Sequence, residues 1–288
     1  MDKISLRAPA KINLYLKVLG KREDGYHEIE SLMQAVDLYD DIIIEKSDKM
    51  ELRCDDPLIP SDENNLALRA VMEFKKSLEF PDIKISLRKN IPVGAGLGGG
   101  SSDAAFILRG ICRLFNLDID KSELIQTAAE IGSDVPFFLS TGQSICRGRG
   151  EKITPVNLPV DYRVALIVPS TQISTAKVYG RLKNALTKKS DTFLFQKEIS
   201  ISSFYRLFNL FANDLEEAAL VDLPDLPEIK KLLTGSGCEY AAMTGSGSAV
   251  FGLYTGRDHE IPELESKLKP DYRLIWCSPI LLPPIYAD

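Results

Sequence analysis

The chain has 288 residues, of which 44% are hydrophobic and 26% charged, and its formal net charge is -6. This composition is typical of a globular protein with one large domain or two of ordinary size, and it excludes a disordered chain. The acidic balance argues against a general nucleic-acid binder, because such proteins neutralise phosphates with an excess of Lys and Arg. A phosphate-bearing ligand would have to be held by local geometry.

Cysteine and histidine content restricts the redox and metal chemistry. The five cysteines are odd in number and form no CxxC pair, which is typical of reduced thiols in the cytosol. Only two histidines occur, so a histidine-rich metal centre is excluded. No apolar run approaches the roughly 18 residues of a membrane span, and the N-terminus is too polar for a signal peptide. We expect a cytoplasmic protein, a monomer or weak homodimer, that binds neither membrane nor nucleic acid.

Hydrophobic periodicity predicts the elements of the first half of the chain. Alternation predicts strands over residues 12–18, 42–45 and 83–87. Spacing of three and four residues predicts helices over residues 65–78, 104–115 and 121–131. Gly132 is placed to end the third helix, and Pro136 starts a new segment.

A stretch with two prolines, residues 154–160, is the best candidate for a linker, and it divides the chain into expected domains 1–157 and 158–288. Beyond it, the pattern predicts strands over 163–168, 240–244, 249–254 and 273–278 and helices over 174–186, 200–219, 226–233 and 260–268. The order of these elements predicts an α+β sandwich, ferredoxin-like at its simplest.

The most informative segment is the glycine loop, in which five glycines fall within residues 94–100, just before a predicted helix. A helix N-terminus has unpaired N–H groups and a partial positive charge. Glycines let a bulky anion approach the backbone closely. The segment therefore predicts a phosphate cradle, with a mobile loop capped by Ser101, Ser102 or Asp103 as the alternative.

Three better-known nucleotide loops do not fit this segment. The P-loop pattern GxxxxGK[ST] is missing, as are the HRD and DFG motifs that accompany a protein-kinase glycine loop. A GxGxxG match exists at Gly94, Gly96 and Gly99, but no strand follows the helix to present Asp118 to a ribose. The remaining option is a loop that wraps a nucleoside triphosphate with backbone amides and contains no lysine.

Three motifs together resemble those of the GHMP kinases, which include galactokinase, homoserine kinase and mevalonate kinase. They are APAKINL at 8–14, PVGAGLGGGSSDA at 92–104 and MTGSGS at 243–248, and their order and spacing agree across nearly the whole chain. The resemblance implies an α+β, two-domain architecture with the active site in the interdomain cleft. Its N-terminal domain would resemble domain 2 of ribosomal protein S5, and its C-terminal domain would be ferredoxin-like. The resemblance also implies ATP and Mg²⁺.

Four narrower matches resemble one branch of this family, whose acceptor alcohol is carried on a cytidine diphosphate. They are AKIN at 10–13, DGYHE at 24–28, GSDVPFF at 132–138 and RGRGE at 147–151. This implies phosphorylation of the 2-hydroxyl of a cytidine-diphosphate-linked methylerythritol, in the non-mevalonate route to isoprenoid precursors. Ser133 and Thr244 depart from the more usual Ala and Ser, and both are small enough to leave the chemistry intact.

The resemblance assigns catalysis to Asp134 and Lys11. Phosphoryl transfer to an alcohol requires a group that orients the hydroxyl and accepts its proton, and a carboxylate can do both. A neighbouring lysine keeps the carboxylate ionised or neutralises phosphate charge. A turn aspartate and an outward-pointing lysine are the structural alternatives, and the sequence leaves open whether Asp134 abstracts the proton or mainly orients the hydroxyl.

The resemblance also implies two sets of binding residues. For ATP these are Asn65, Pro92, Val93, Gly94, Ala95, Gly96, Leu97, Gly98, Gly99, Gly100, Ser101 and Ser102, the last also the one candidate Mg²⁺ ligand. For the acceptor they are Asn13, Tyr26, His27, Tyr179, Thr244, Gly245, Ser246 and Gly247. Asn65 could equally cap a helix, Tyr179 could be a core residue, and Arg147 and Arg149 could form either a phosphate rim or exposed surface charges.

Three other functions stay open at this point. In a GHMP kinase for another alcohol, such as homoserine or mevalonate, Tyr26 and His27 would not bind cytidine. A non-catalytic nucleotide sensor on the same scaffold would not need Asp134 and Lys11. An RNA-binding S5-like module conflicts with the acidic charge.

Overall fold

A computed structural model of the chain describes residues 1–57, 59–182, 201–256 and 261–285. The ends of three predicted helices, over 183–186, at 200 and at 260, fall outside the described residues.

Two long strands form the spine of the N-terminal half. Strands β1 (Lys3–Lys21) and β2 (His27–Lys46) pair antiparallel along their whole length. The prediction found only the middle of β1 and the end of β2. Residues 8–16 of β1 are continuously buried, and a strand covered on both faces does not alternate in hydrophobicity. The alternation of apolar and polar residues, which locates strands in a sequence, is therefore weak in the most buried parts of β1 and β2.

Four shorter strands complete a six-stranded sheet along the other edge of β2. They are β3 (Glu51–Cys54), β4 (Ile83–Arg88), β5 (Gln143–Gly148) and β6 (Lys152–Pro155). The order is β3-β4-β2-β5-β6, with β1 paired to β2 outside that path. Strand β4 confirms the prediction over 83–87, whereas β5 was not predicted because it begins with the buried polar residues Gln143 and Ser144.

Three helices pack in the N-terminal half and bury its main hydrophobic core. They are α1 (Leu66–Ser77), α2 (Gly99–Phe115) and α3 (Lys121–Ile131). All three were predicted, but α2 begins five residues earlier than expected. Gly99 and Gly100 therefore form its first turn, and Gly98, with φ of 71°, is its N-cap.

The C-terminal sheet has the ferredoxin-like order. Strands β7 (Tyr162–Pro169), β8 (Tyr240–Met243), β9 (Val250–Thr255) and β10 (Tyr272–Cys277) lie in the order β10-β7-β9-β8. Every neighbouring pair is antiparallel. All four strands were predicted, and the ferredoxin-like arrangement is confirmed.

Among its described residues, the C-terminal half contains the helices α4 (Thr175–Gly180), α5 (Ile201–Leu207), α6 (Glu216–Ala219), α7 (Leu226–Gly235) and α8 (Pro262–Ser266). The single helix predicted over 200–219 is wrong. Its middle instead pairs with β1, since Leu16 N–H donates to Ala212 O and Asp214 N–H donates to Leu16 O, each at 2.9 Å. Backbone groups used in this pairing cannot continue a helix. No helix in the described ranges is long and apolar enough to cross a membrane.

The segment expected to be a linker is packed into the protein. Thr154 and Pro155 belong to β6, and Val156 and Leu158 are buried. Leu158 N–H donates to Gln143 Oε1 at 2.9 Å. The segment is therefore packed and partly in a strand, while its role as a linker and the boundary between residues 157 and 158 stay predictions.

One hydrophobic core is shared by the two halves. It contains Ala10 and Ile12 from β1 together with Val164 from β7 and Phe251 from β9. The strand that carries the first motif is thus buried against the C-terminal sheet.

The last described residues return to the N-terminal half. Ile280 N–H donates to Ala35 O at 2.9 Å, and Leu282 N–H donates to Thr141 O at 2.8 Å. Leu282 and Ile285 are buried in the same core as helices α1 to α3. This tail fastens the C-terminal end of the chain to the N-terminal half.

Candidate active site

A cavity of about 1100 Å³ contains residues from both halves of the chain. Its size is at the upper end of ordinary ligand pockets. Most of the predicted site residues line it, namely Lys11, Asn13, Tyr26, His27, Asn65, Pro92, Val93, Gly94, Ala95, Gly96, Leu97, Gly98, Gly99, Gly100, Ser101, Asp134, Tyr179, Gly245 and Ser246. Residues predicted from separate motifs are thus brought to one place.

Three predicted site residues do not line this cavity: Ser102, Thr244 and Gly247. Because α2 starts at Gly99, Ser102 is already within the helix, where its side chain is fully buried. Thr244 is also fully buried and forms hydrogen bonds inside the protein. Gly247 packs against Met243, whose Sδ a Cβ at this position would approach to 2.7 Å. Ser102, Thr244 and Gly247 can therefore support the site through the residues that they contact.

Lys11 and Asp134 form an ion pair at the wall of the cavity. Lys11 lies on β1 with its side chain 4% exposed, and Asp134 lies in the turn between α3 and a 3₁₀ turn at Pro136–Leu139. Lys11 Nζ is 3.4 Å from Asp134 Oδ2 and donates to Asn13 Oδ1 at 2.6 Å. A lysine buried between two acceptors is held in one position, so the snorkelling alternative is wrong.

Asn13 links the ion pair to the third motif. Its Nδ2 donates to Ser31 Oγ at 2.8 Å, and its backbone N–H donates to Thr244 Oγ1 at 3.0 Å. Ser31 Oγ in turn donates to Tyr15 O at 2.7 Å. With its Oδ1 accepting from Lys11, the Asn13 side chain is almost fully engaged within the protein. It therefore orients Lys11 as well as facing the cavity.

The glycine loop lies against the turn formed by the third motif. Ala249 N–H donates to Ala95 O at 3.1 Å, and Lys11 N–H donates to Leu97 O at 2.9 Å. A Cβ on Gly96, which has φ of 77°, would lie 2.1 Å from Thr244 O. Only glycine allows the two backbones to approach this closely. The first, second and third motifs are therefore in direct contact.

Asn213 supports the third-motif turn from below, and the sequence did not single it out. Its Nδ2 donates to Met243 O at 2.7 Å and to Gly245 O at 2.8 Å, while its Oδ1 accepts from Leu215 N–H at 3.0 Å. Asn213 lies within the helix predicted over 200–219, at the point where the structure breaks it. Helical periodicity continues through this segment of the sequence and concealed the break.

An aromatic group forms another part of the cavity wall. The rings of His27 and Tyr179 are 5.1 Å apart between centroids and tilted by 31°. Burial, and to a smaller extent the charge of Lys21, lowers the pKa of His27 below its ordinary value. Burial raises the pKa of Tyr179, and the charge of Asp134 adds to this. Both side chains are therefore predominantly neutral at pH 7, and Tyr179 lines the cavity while also packing against the C-terminal core.

Tyr26 and the two arginines differ in their contacts. The Tyr26 ring is 53% exposed, and the Arg149 guanidinium lies 4.8 Å from its centroid. Arg149 lines the cavity. Arg147 does not, because its Nε donates to the buried Glu30 at 2.8 Å. The suggested phosphate rim is therefore reduced to Arg149.

Asn65 caps a helix and also borders the cavity, while its contact with ATP stays a prediction. It is the N-cap of α1, its Oδ1 accepting from Ala67 N–H at 2.9 Å. Its Nδ2 donates to Pro60 O at 2.8 Å. The residue also lines the cavity, so the cap fixes its orientation toward any ligand there.

A buried charge cluster beside the glycine loop was not predicted. Lys89 Nζ donates to the carboxylates of both Asp40 and Asp103, and all three side chains are almost fully buried. Lys89 and Asp103 line the cavity. Burial is the largest influence on Asp103 and raises its pKa, while Lys89 acts in the opposite direction. The available signals were a lysine directly before the loop and the aspartate within the second motif.

The described residues offer little to a metal ion. Within the described ranges, no group of three or more His, Cys, Asp and Glu side chains could hold one. Ser102 Oγ is buried and has no hydrogen-bond partner among the described residues, but it does not reach the cavity. Ser102 is therefore not part of the cavity lining, and its role as an Mg²⁺ ligand stays a prediction.

Two family models match the chain. GHMP kinases N terminal domain matches residues 65–142, and GHMP kinases C terminal matches residues 194–268. A 4-diphosphocytidyl-2-C-methyl-D-erythritol kinase of Bacillus cytotoxicus is 39% identical over 264 residues, which cover 90% of this chain and 91% of that protein.

Solved structures agree with these matches. The crystal structure of a 4-(cytidine 5'-diphospho)-2C-methyl-D-erythritol kinase superposes with a TM-score of 0.76 at 31% identity, covering 96% of this chain and 99% of that one. Homoserine kinase from Cytophaga hutchinsonii superposes with a TM-score of 0.68 at 20% identity, covering 99% and 96%, and shares the fold alone. The motifs, the two-part fold and these similarities together place the chain in the GHMP kinases, in the family of 4-diphosphocytidyl-2-C-methyl-D-erythritol kinases.

Proposed function

We propose that the protein transfers the γ-phosphoryl group of ATP to the 2-hydroxyl of 4-diphosphocytidyl-2-C-methyl-D-erythritol, a step in the non-mevalonate route to isoprenoid precursors. The observation that carries this proposal is the Lys11–Asp134 ion pair, which shares one cavity with a glycine loop and with an aromatic group. A phosphate cradle, a proton acceptor and a platform for a base are the three parts that the reaction requires.

ATP lies along the glycine loop, residues 92–101, with its phosphates at the N-terminus of α2. The loop glycines at 94, 96 and 98 have positive φ and expose backbone to the cavity. The unpaired N–H groups of the first helical turn, from Gly99, favour negative charge. Asn65 borders the same cavity at the start of α1, where it is suited to contact the nucleotide.

Asp134 acts on the acceptor hydroxyl. The hydroxyl oxygen attacks the γ-phosphorus, its proton passes to the Asp134 carboxylate, and the bond from the γ-phosphorus to the bridging oxygen breaks to release ADP. Lys11, 3.4 Å from Asp134, stabilises the ionised carboxylate and the charge on the phosphoryl group in transfer. Asn13 and the backbone of Leu97 hold Lys11 in place for this role. Catalysis then depends mainly on positioning and on charge stabilisation.

Mg²⁺ belongs to this proposal as the counter-ion of ATP. Mg²⁺ commonly keeps several waters and is bound through substrate phosphates with one or two carboxylates. Of the two carboxylates in the cavity wall, Asp103 and Asp134, the proposal assigns the ion to Asp134, because Lys89 already holds Asp103. When bound, the ion neutralises charge on the transferred phosphoryl group.

The acceptor extends from Asp134 toward the aromatic group. Because the His27 and Tyr179 rings are already in contact, cytosine stacks on an outer face of this pair and not between the rings. Neutral His27 and nearby backbone groups supply directional hydrogen bonds to the edge of the base. Tyr26 borders the same region, and Gly245 and Ser246 offer their turn to the diphosphate.

The proposal also includes the setting in which the enzyme works. All five cysteines are unpaired in the structure, which supports a reduced compartment such as the cytoplasm. We propose that the protein works there as a monomer or weak homodimer.

An ADP-release assay with a panel of alcohols tests the function. Rapid ADP release with 4-diphosphocytidyl-2-C-methyl-D-erythritol, and background release with homoserine, mevalonate or free methylerythritol, is the expected result. Phosphorus NMR of the product should show the new phosphate on the 2-oxygen. Equal rates with the simple alcohols would contradict the acceptor assignment. Nucleotide binding without ADP release from any acceptor would favour a non-catalytic sensor.

A further inference from the structure

The two ends of the glycine loop meet at the buried charge cluster formed by Asp40, Lys89 and Asp103. The loop is entered after β4 and left at the start of α2. Asp40 Oδ1 accepts from Asn90 N–H at 2.6 Å and from Ile91 N–H at 2.9 Å. These are the last two residues before Pro92. Asp40, which lies on β2, therefore fixes the entry to the loop.

Lys89 connects this entry to the exit. Its Nζ donates to Oδ2 of Asp40 and to Oδ2 of Asp103, which lies in the second turn of α2. The side chains of Lys89, Asp40 and Asp103 are 5%, 0% and 4% exposed. Both ends of the loop are thus attached to one ammonium group.

Burial makes this attachment strong. Charges removed from water interact at a low effective dielectric, and a buried charge that loses its partner carries a large desolvation penalty. Burial lowers the pKa of Lys89, but attraction to Asp103 and Asp40 outweighs it, so the pKa lies above its ordinary value. The lysine therefore stays charged. Moving the loop ends apart would separate it from a buried carboxylate.

We propose that Asp40, Lys89 and Asp103 are positioning residues that hold the glycine loop in its ATP-binding shape before ATP arrives. This inference rests on the proposed placement of ATP along the loop. Lys89 and Asp103 line the cavity, whereas Asp40 does not. Asp40 therefore acts only through the groups to which it is hydrogen-bonded. A substitution of Asp40 tests the positioning of the loop without removing a direct contact with the nucleotide.

The test measures the Kd for a non-hydrolysable ATP analogue by calorimetry, together with both KM values and kcat. Asp40→Asn keeps the volume and an oxygen that can accept from Asn90 and Ile91, but it removes the charge that holds Lys89. We expect the Kd and the KM for ATP to rise about tenfold, because ordering a loop on binding costs affinity. The KM for the acceptor and kcat at saturating ATP should change by less than about twofold.

Two further variants complete the set. Asp103→Asn should act in the same direction as Asp40→Asn, because it weakens the other half of the attachment. Asp120→Ala is the matched control, since Asp120 caps α3 by accepting from Ser122 N–H at 2.7 Å and lies outside the cavity lining. It lowers the melting temperature without touching the loop. Asp40→Ala would remove every hydrogen bond of the Asp40 carboxylate. If this variant does not fold, the two asparagine variants decide the test.

The outcomes separate the possible errors. Unchanged nucleotide affinity in both asparagine variants would overturn the positioning role. A similar loss in Asp120→Ala, or an equal rise in the KM for the acceptor, would also overturn it, because either result indicates general destabilisation. If the unsubstituted protein does not bind the nucleotide analogue, the placement of ATP is wrong and the positioning role fails with it.

Discussion

Two neighbouring glycines allow the contact between the glycine loop and the third-motif turn to be measured directly. Gly94 and Gly96 have φ of 70° and 77°, so an alanine at either position is strained by a similar amount. A Cβ on Gly94 would meet only the side chain of Gln172, at 3.8 Å, whereas a Cβ on Gly96 would lie 2.1 Å from Thr244 O. The pair therefore differs mainly in one steric contact.

The expected losses of stability follow from these two quantities. Alanine in the left-handed region costs about 1–2 kcal/mol, and this is the whole effect expected for Gly94→Ala. An overpacked contact against backbone adds about 1–3 kcal/mol, so Gly96→Ala should lose about 2–5 kcal/mol. Because Thr244 Oγ1 accepts from Asn13 N–H, the shift in Gly96→Ala should also disturb Lys11 and lower kcat.

Urea denaturation of both variants gives the free energies of unfolding, and the ADP-release assay gives kcat. Gly96→Ala should be the less stable of the two by about 1–3 kcal/mol. Equal stabilities and equal turnover would refute the direct contact between the second and third motifs.

Two further predictions concern His27 and the C-terminal tail. Burial keeps the pKa of His27 below 6.5 in the folded protein, so the contribution of neutral His27 to stability is fully present above about pH 6.5 and is lost as the pH falls through the folded pKa. An NMR titration, with His259→Gln for assignment, should give a midpoint below pH 6.5 for His27. A midpoint at or above pH 6.5 would contradict the burial. Leu282→Ala should lower the free energy of unfolding by about 2–5 kcal/mol. Leu281→Ala, at a neighbouring position that is 56% exposed, should change the free energy of unfolding by less than about 0.5 kcal/mol. Similar values for both variants would show that the tail does not contribute to the core.

Local patterns predicted the elements whose burial is one-sided. Strand β4 and helices α1 and α3 were found within one or two residues, because each shows the regular spacing of an element with one buried face. Strand β5 begins with buried Gln143, whose amide bonds to Gln34 and Leu158, so its burial left no apolar pattern. The break at Asn213 was hidden because its neighbours fit a helix, although they pair with β1.

The site was predictable to the extent that its residues lie in recognisable motifs. Lys11, His27 and Asp134 border one cavity as the family resemblance implied. Ser102 lies inside α2 and outside the cavity lining, which was not foreseen because the sequence does not show at which glycine α2 begins. Asp40 lies outside every motif that the sequence analysis recognised. Its role depends on a long-range contact that one sequence cannot reveal.

Turnover by Asp134→Asn is the most direct test of the central claim, that the Lys11–Asp134 pair carries phosphoryl transfer to the cytidine-diphosphate-linked alcohol. Asparagine keeps the size of the side chain but cannot accept the hydroxyl proton. The ADP-release assay should show kcat lower by at least about 10²- to 10⁴-fold, with the affinity for ATP retained. Near-normal kcat with a properly folded variant would contradict the role given to Asp134.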